Sequence, residues 1–355
     1  MHIHTFEVSS KLKNDDYYII QNDLKNKDKS LWKAQNNGMD YWGLSDKGIL
    51  IYMRVIKKKQ FYCYSIKYRI SARRVIDNDN YVGLFDTYLY KKLRDKVNAL
   101  LYSKSPNLPP LDECSLSRID FCINAYLEDQ EQVKAYIRTV KRANIPGKLE
   151  EYMEYDSQSK RTKPTKDDFT AYLKDYIAIS IYNKYAEMKK ARKKKPYFPK
   201  SEIEKAKNIV RIEIRCMKKK VYAIMQKYDI RTIAEFMRHA DEIGSKLYEQ
   251  YLPKMFGKGE ICTLKRAKEK IDMSGFGHKK IKFMKEFVED ANKARSAWEM
   301  YRWYKQHYGV SKIKRILGLF EDIDTNYVTV TTRDDKLFFE IPTPMELYEL
   351  FKDVS

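Results

Sequence analysis

Three short segments constrain the fold more than anything else in the chain: Arg118-Ile-Asp-Phe-Cys-Ile-Asn124, Ile177-Ala-Ile-Ser-Ile-Tyr-Asn-Lys184 and Val210-Arg-Ile-Glu-Ile-Arg-Cys216. Side chains alternate across a strand, so Ile119, Phe121 and Ile123 face one way and Arg118, Asp120, Cys122 and Asn124 the other. The same rule sets Ile177, Ile179 and Ile181 against Ser180, Tyr182 and Lys184. It also sets Val210, Ile212 and Ile214 against Arg211, Glu213 and Arg215. If the three strands pair in one sheet, Asp120, Tyr182 and Glu213 share its polar surface. Two carboxylates there can hold a divalent cation, and a tyrosine beside that cation can attack phosphorus.

Charge says where such a phosphorus would come from. The 355 residues carry 70 Lys+Arg against 49 Asp+Glu, a formal net charge of +21, which attracts polyanions and releases their counterions. At 43% hydrophobic the chain is too apolar for a disordered polycation, so the charge decorates a folded object long enough for two domains. Nucleic acid is the expected partner. No apolar run approaches the roughly 20 residues of a spanning helix, and the opening Met1-His-Ile-His-Thr-Phe-Glu7 has no signal-peptide pattern. The expectation is therefore a cytoplasmic protein with no membrane partner. Five cysteines without a Cys-x-x-Cys pair exclude a zinc-ribbon pattern, and the odd count argues against a disulfide framework.

Periodicity predicts strands over 2–8, 48–56 and 60–70, the last two a hairpin turning at Lys57-Lys-Lys59. A helix is expected over 81–102, stopped by Pro106, Pro109 and Pro110, and another over 129–143. The stretch 146–168, with Ser157-Gln-Ser-Lys-Arg-Thr-Lys-Pro-Thr165 at its centre, reads as a mobile basic loop over the sheet. A helix over 200–208 carries Ser201-x-x-Glu204, a capping-box pattern. The fold class expected is α+β: an antiparallel sheet with flanking helices over 1–217, then a mostly helical DNA-binding region over 218–355. Helical segments are expected over 232–239, 244–252, 261–270, 277–287 and 292–308. Ser311 would cap a basic helix ending at Phe320, and strand-like stretches over 325–332 and 336–341 would then give the order of a winged helix.

Each candidate also has a plain structural reading. Asp120 and Glu213 would serve equally as strand carboxylates paired with Arg118, Arg211 or Arg215. What favours chemistry is the cost of keeping carboxylates in a basic groove unless a cation sits between them and the phosphate. Tyr182 is one of 29 tyrosines, most of which must be packing residues. Its register with Lys184, which could stabilise a phenolate or a phosphate oxygen, sets it apart. Tyr172, Tyr176 and Tyr185 compete with it. His2-Ile-His4 places two histidines on one strand face and could ligate a cation, but at a terminus where fraying is expected. Lys189–Lys195 and Lys218–Lys220 follow the tyrosine and glutamate strands and would ring the same end of the sheet. Arg118, Arg211, Arg215, Lys193, Lys194, Lys218 and Lys219 are thus the candidate nucleic-acid contacts.

The three strands resemble the plasmid and phage rolling-circle replication initiators, a family related to the His-hydrophobe-His endonucleases, and most closely the trans-acting plasmid type that lacks that motif. Arg118-Ile-Asp120, Ile181-Tyr-Asn-Lys184 with Glu187, and Arg211-Ile-Glu213 occur in the family's order, and the likeness covers about 115–217. The resemblance implies a metal-dependent nickase. Tyrosine attacks one strand of an origin hairpin or of single-stranded DNA, becomes linked to the 5′-phosphate, and leaves a 3′-hydroxyl that primes synthesis; the Asp and Glu bind Mg²⁺ or Mn²⁺. The family's Gly-Ser-Arg stretch is replaced by Thr170-Ala-Tyr-Leu-Lys-Asp175, which keeps Tyr172 and Tyr176 open as nucleophiles. A host helicase and a second copy of the chain stay open as partners. Two other readings stand beside this one: a DNA-binding regulator without chemistry, and a module that binds structured RNA through Tyr62, Tyr64 and Tyr68.

Overall fold

The computed structural model describes residues 2–58, 60–78, 80–156, 160–194, 199–338 and 340–354. The expected α+β class is what it shows: one large antiparallel sheet with helices against it, then a mostly helical C-terminal region. In chain order the first strands are β1 (His2–Leu12), β2 (Trp32–Gln35), β3 (Gly38–Tyr41), β4 (Ile49–Lys58), β5 (Phe61–Ser71) and β6 (Phe85–Asp86). They are followed by β7 (Ser115–Tyr126), β8 (Glu150–Glu151), β9 (Met153–Asp156), β10 (Arg161–Pro164), β11 (Asp168–Leu173), β12 (Ile177–Asn183) and β13 (Ile209–Met217). The sheet runs β2-β3-β4-β5-β1-β7-β13-β12-β11-β8, with β6 beside β1. The N-terminal strand, where fraying was expected, is therefore central. It lies between β5 and β7, with a register shift between Ile3 and Phe6.

One sheet face is apolar because the alternating isoleucines demand it. Ile119, Phe121, Ile123, Ile179, Ile181, Ile212 and Ile214 are completely buried in a core that also takes in the helix Ile233–Phe256. The Tyr248 hydroxyl of that helix reaches the carbonyls of Phe121 and Ile212 at 3.1 and 2.9 Å, so a phenol at the sheet surface is satisfied. The last helix, Pro344–Phe351, returns to the same core, with Tyr348 stacked on Tyr248 at 4.7 Å. The core thus runs past Met217, the boundary drawn from sequence. A second cluster around Met284, Phe287, Tyr304, Phe320 and Tyr327 is built by the helices Leu264–Asp272, His278–Lys293, Ala297–Tyr308 and Val310–Asp322.

Several local expectations are corrected. The helix expected from residue 81 begins at Tyr90, because Phe85 and Asp86 pair with Ile3 and His2 instead. The segments 232–239 and 244–252 are one helix, whose buried stripe of Phe236, Ala240, Ile243, Leu247 and Tyr248 passes Gly244 without interruption. In 146–168, the described residues form β8, β9 and β10, with β9 paired to β10 from Met153↔Pro164 to Asp156↔Arg161. Ser157, Gln158 and Ser159 lie outside the described residues, as does Lys59 of the expected turn. Pro199, not Ser201, precedes the helix Lys200–Lys205, and its Glu202 accepts from the Tyr81 backbone. Gly309, at φ 75°, precedes Val310–Asp322, so Ser311 is not its cap. The two stretches expected to pair as a wing lie instead beside 260–263: Glu340 and Ile341 pair with Cys262 and Ile261, while Thr325 and Val330 bridge to Glu260 and Thr263.

Candidate functional site

The polar sheet face is built by register. Asp120 lies opposite Arg215, Glu213 opposite Cys122 on one side and Ser180 on the other, and Arg211 opposite Asn124 and Tyr182. The expected convergence of Asp120, Tyr182 and Glu213 on one surface is thus present. All three line a cleft of about 560 Å³ together with His4, Arg69, Arg118, Thr170, Ser180 and Arg215. Glu154 and the segment 165–168 also line it, so the region read as a loop does border the site. Arg69, Arg118, Lys166, Lys190 and Arg215 face six carboxylates, Asp120, Glu154, Asp167, Asp168, Glu187 and Glu213. A balanced cleft on a protein of net charge +21 is a local concentration of acid.

Both expected metal-binding carboxylates are buried, and both are already paired. Arg118 donates from Nε and Nη2 to the two oxygens of Asp120 at 2.8 and 2.5 Å, and Arg215 Nε stands 3.3 Å from the same carboxylate. Arg215 Nη2 donates to Glu213 Oε1 at 2.5 Å. Beyond this pair, Glu7 collects Arg69, Lys67 and Arg118 at 2.6, 3.2 and 3.3 Å. Burial and the neighbouring Glu213 push Asp120 above the usual carboxylate range. Burial acts on Glu213 in the same direction, but Arg215, Arg118 and Arg211 outweigh it and hold Glu213 below that range.

Glu213 Oε2 is the node of the site. It accepts the Tyr182 hydroxyl at 3.2 Å and the Cys122 thiol at 3.6 Å, and His4 Nδ1 is 3.9 Å away. Burial and Glu213 keep the Tyr182 phenol and the Cys122 thiol well above their ordinary values, so both carry their protons. Burial, with Arg211, Lys184, Arg118 and Arg215 nearby, holds His4 neutral. Ligand atoms of His4, Cys122 and Glu213 all lie within 4.8 Å of one another, a group that could hold a metal ion. The His4–Cys122–Glu213 set offers one nitrogen, one sulfur and one carboxylate, whereas Mg²⁺ and Mn²⁺ prefer oxygen, and Asp120 is taken up by arginine.

Among the four candidate tyrosines, Tyr182 alone lines this cleft. Tyr172 meets Tyr152 edge-on, Tyr176 lies under Lys220, and Tyr185 packs with the cluster around Met188 and Ile203. Lys184 is buried and bonded to Glu187 at 2.8 Å. Arg211 is completely buried, donating to Asn124 Oδ1 and the Val82 carbonyl, so it ties strands together and is out of reach of a phosphate backbone. Lys218 and Lys219 are exposed on a larger cleft with Tyr52, Arg54 and Lys67, and Lys193 is exposed on the helix Lys184–Lys194; the Lys194 side chain lies outside the described residues. The two lysine runs do not ring one end of the sheet. Since β12 and β13 are antiparallel, the segments that follow them leave from opposite ends. Tyr62, Tyr64 and Tyr68 form no common platform either: Tyr68 is buried beneath Pro109, Tyr64 packs on Tyr17 and Tyr18, and Tyr62 alone is exposed.

Sequence reasoning missed Glu7, and it had no way to place Cys122 beside His4. Alternation set Cys122 on the reactive face, but which residue of β1 faces it depends on the register shift in that strand. No family model matches the chain, and no curated protein does. Among solved structures, the chain is similar to a rolling circle replication initiator protein from Geobacillus stearothermophilus. The identity is 11% over 70% of this chain and 84% of that one, with a TM-score of 0.33. A likeness this loose carries no argument about activity, which rests on the chain's own residues.

Proposed function

We propose that the protein nicks and rejoins DNA at a replication origin through a covalent 5′-phosphotyrosine, initiating rolling-circle replication of a plasmid or phage. The observation that carries this reading is the Tyr182 hydroxyl donating to Glu213 inside an open cleft of a strongly basic protein. A nucleophile within reach of its base is the arrangement nucleophilic catalysis needs. The Tyr182 oxygen attacks phosphorus and its proton passes to Glu213 Oε2. The bond from phosphorus to the 3′-oxygen breaks, and that oxygen leaves with the electron pair and takes up a proton. Rejoining runs the same steps backwards. Arg69, Arg118, Lys190 and Arg215 line the cleft and supply positive charge for the phosphoryl oxygens. Asp120 acts as a positioning residue, holding Arg118 and fixing the guanidinium of Arg215 beside Glu213. Mg²⁺ or Mn²⁺ held by Asp120 and Glu213 would have to displace the guanidinium groups of Arg118 and Arg215, and would supply charge for the scissile phosphate there.

Incubating the protein with single-stranded, origin-like DNA and mapping the modified peptide by mass spectrometry tests the reading. A nucleotide on Tyr182 supports it; an unmodified Tyr182 in a preparation that cleaves DNA removes it. The saturation of Asp120 by arginine favours a second reading, in which the network is structural and the protein is a DNA-binding regulator. Retention of binding without cleavage of supercoiled plasmid in the unmodified protein would select that one.

A further inference from the structure

We infer that His4, Cys122 and Glu213 form a site for a thiophilic divalent ion of the zinc class, one that discriminates against Mg²⁺. The argument is geometric. Metal bonds of about 2.3 Å to sulfur and about 2.0–2.2 Å to nitrogen and oxygen give, at a tetrahedral angle, ligand-to-ligand edges of about 3.4–3.6 Å. The Cys122 Sγ to Glu213 Oε2 distance is 3.6 Å and the His4 Nδ1 to Glu213 Oε2 distance 3.9 Å, with all three atoms inside 4.8 Å. Closing onto an ion asks the His4–Glu213 edge to shorten by about 0.3–0.5 Å and the Tyr182 hydroxyl to yield or share Glu213 Oε2. The three ligands come from β1, β7 and β13, adjacent strands at the centre of the sheet, so the frame that holds them is rigid.

The chemistry agrees with the geometry. One imidazole, one thiolate and one carboxylate suit Zn²⁺ or Co²⁺, whereas sulfur is a poor ligand for Mg²⁺. Binding forms the metal–sulfur bond and releases the thiol proton of Cys122 to solvent. His4 and Glu213 line the cleft while Cys122 is sealed behind them, so the ion would enter past the imidazole and the carboxylate. Three protein ligands leave a position for water or a substrate oxygen, as in catalytic and not structural zinc sites. The site shares Glu213 with the nicking reading and rests on that reading for its purpose only.

The test titrates Co²⁺ into the full-length, chelator-treated protein. The expected result is a thiolate-to-cobalt charge-transfer band in the near ultraviolet that saturates at one equivalent, is abolished by Zn²⁺, and survives a large excess of Mg²⁺. Cys122→Ser should lose the band and bind Co²⁺ at least about tenfold more weakly, a loss that even outer-sphere partners cause. His4→Ala, at a partly exposed position, should weaken binding similarly while keeping the band, and it supplies the answer if Cys122→Ser does not fold. A saturated spectrum without the band, a band retained in Cys122→Ser, binding unchanged in His4→Ala, or displacement by Mg²⁺ overturns the inference. The mass-spectrometric assay scores nicking separately. A band without a Tyr182 adduct keeps the site and removes the nickase; an adduct formed under chelator by protein that shows no band does the reverse.

Discussion

At the scale of single residues, the site is an ionic network in which each arginine has a different task. Arg118 grips Asp120, Arg215 spans both buried carboxylates, and Arg211 lies under the face and binds backbone and amide. Arg211→Met should therefore destabilise the fold by roughly 1–3 kcal/mol, the cost of a buried acceptor left unpaired, measured by urea denaturation. The same variant should leave the salt dependence of DNA affinity unchanged; a smaller slope would return Arg211 to the set of phosphate contacts. Tyr182→Phe should abolish the covalent adduct while retaining binding, and Tyr172→Phe, Tyr176→Phe and Tyr185→Phe should each still form it. Loss of the adduct in one of the latter three, with Tyr182→Phe active, would move the nucleophile. All the residues of this network except Glu7 and His4 of β1 and Lys67 and Arg69 of β5 belong to the three alternating strands. Their shared face was legible because alternation is a local rule, and so were the Arg118–Asp120 and Arg215–Glu213 pairs two residues apart on one strand; the contacts of Glu213 with Tyr182, Cys122 and His4 were not, because those partners come from other strands.

At the scale of elements, helix ends and packing decide what periodicity leaves open. The final helix is closed by a reciprocal cap: Thr343 accepts from the Glu346 backbone, and Glu346 accepts from the Thr343 backbone. Thr343→Ala should cost about 1 kcal/mol, and because this helix shares the sheet core the loss should appear in the main unfolding transition. A separate early transition would mean that the helix unfolds on its own. The Thr-x-x-Glu pattern marks this cap and the one at Thr232 and Glu235, whereas Ser201-x-x-Glu204 has the pattern without the position. The difference lies in Glu202 and Ile203, which are buried and so fix how that short helix sits. The hairpin of β2 and β3 escaped notice because its strands have four residues each, below the length at which alternation separates from chance.

Across the whole molecule, ion pairs tie distant segments together. Arg138 on the helix Gln130–Val140 binds Asp334 through Nε and Nη2 at 2.9 and 2.5 Å, and Arg142 reaches the carbonyls of Ala294 and Thr329. For Asp334, burial would raise the acid, but Arg138 and Thr331 outweigh it; for Glu7, burial is likewise outweighed by Arg69 and Lys67. Both groups are therefore held below their ordinary values of 3.8 and 4.5. A depressed acid contributes stability that is fully present above its ordinary value and disappears as pH falls through the folded one. Melting temperature should accordingly fall as pH drops below about 4.5, and Arg138→Met should flatten part of that fall. An unchanged acid profile in Arg138→Met would remove Asp334 from the account. The sheet core takes residues from both sides of 217. The amphipathic helix Ile233–Phe256 has to bury its stripe, and the apolar sheet face is what it covers.

That three strands would be apolar on one side and carry arginine, carboxylate and tyrosine on the other follows from local order alone, since side-chain alternation needs no knowledge of neighbours. The net charge of +21 on the chain as a whole was equally legible. Long-range pairing puts β1 at the centre of the sheet, which brings His4 to Glu213 and Glu7 to Arg118. It alone set the antiparallel directions that send the two lysine runs to opposite ends. Strand order and register arise from long-range pairing, in which residues more than a hundred positions apart become neighbours, and no window of local sequence contains that information.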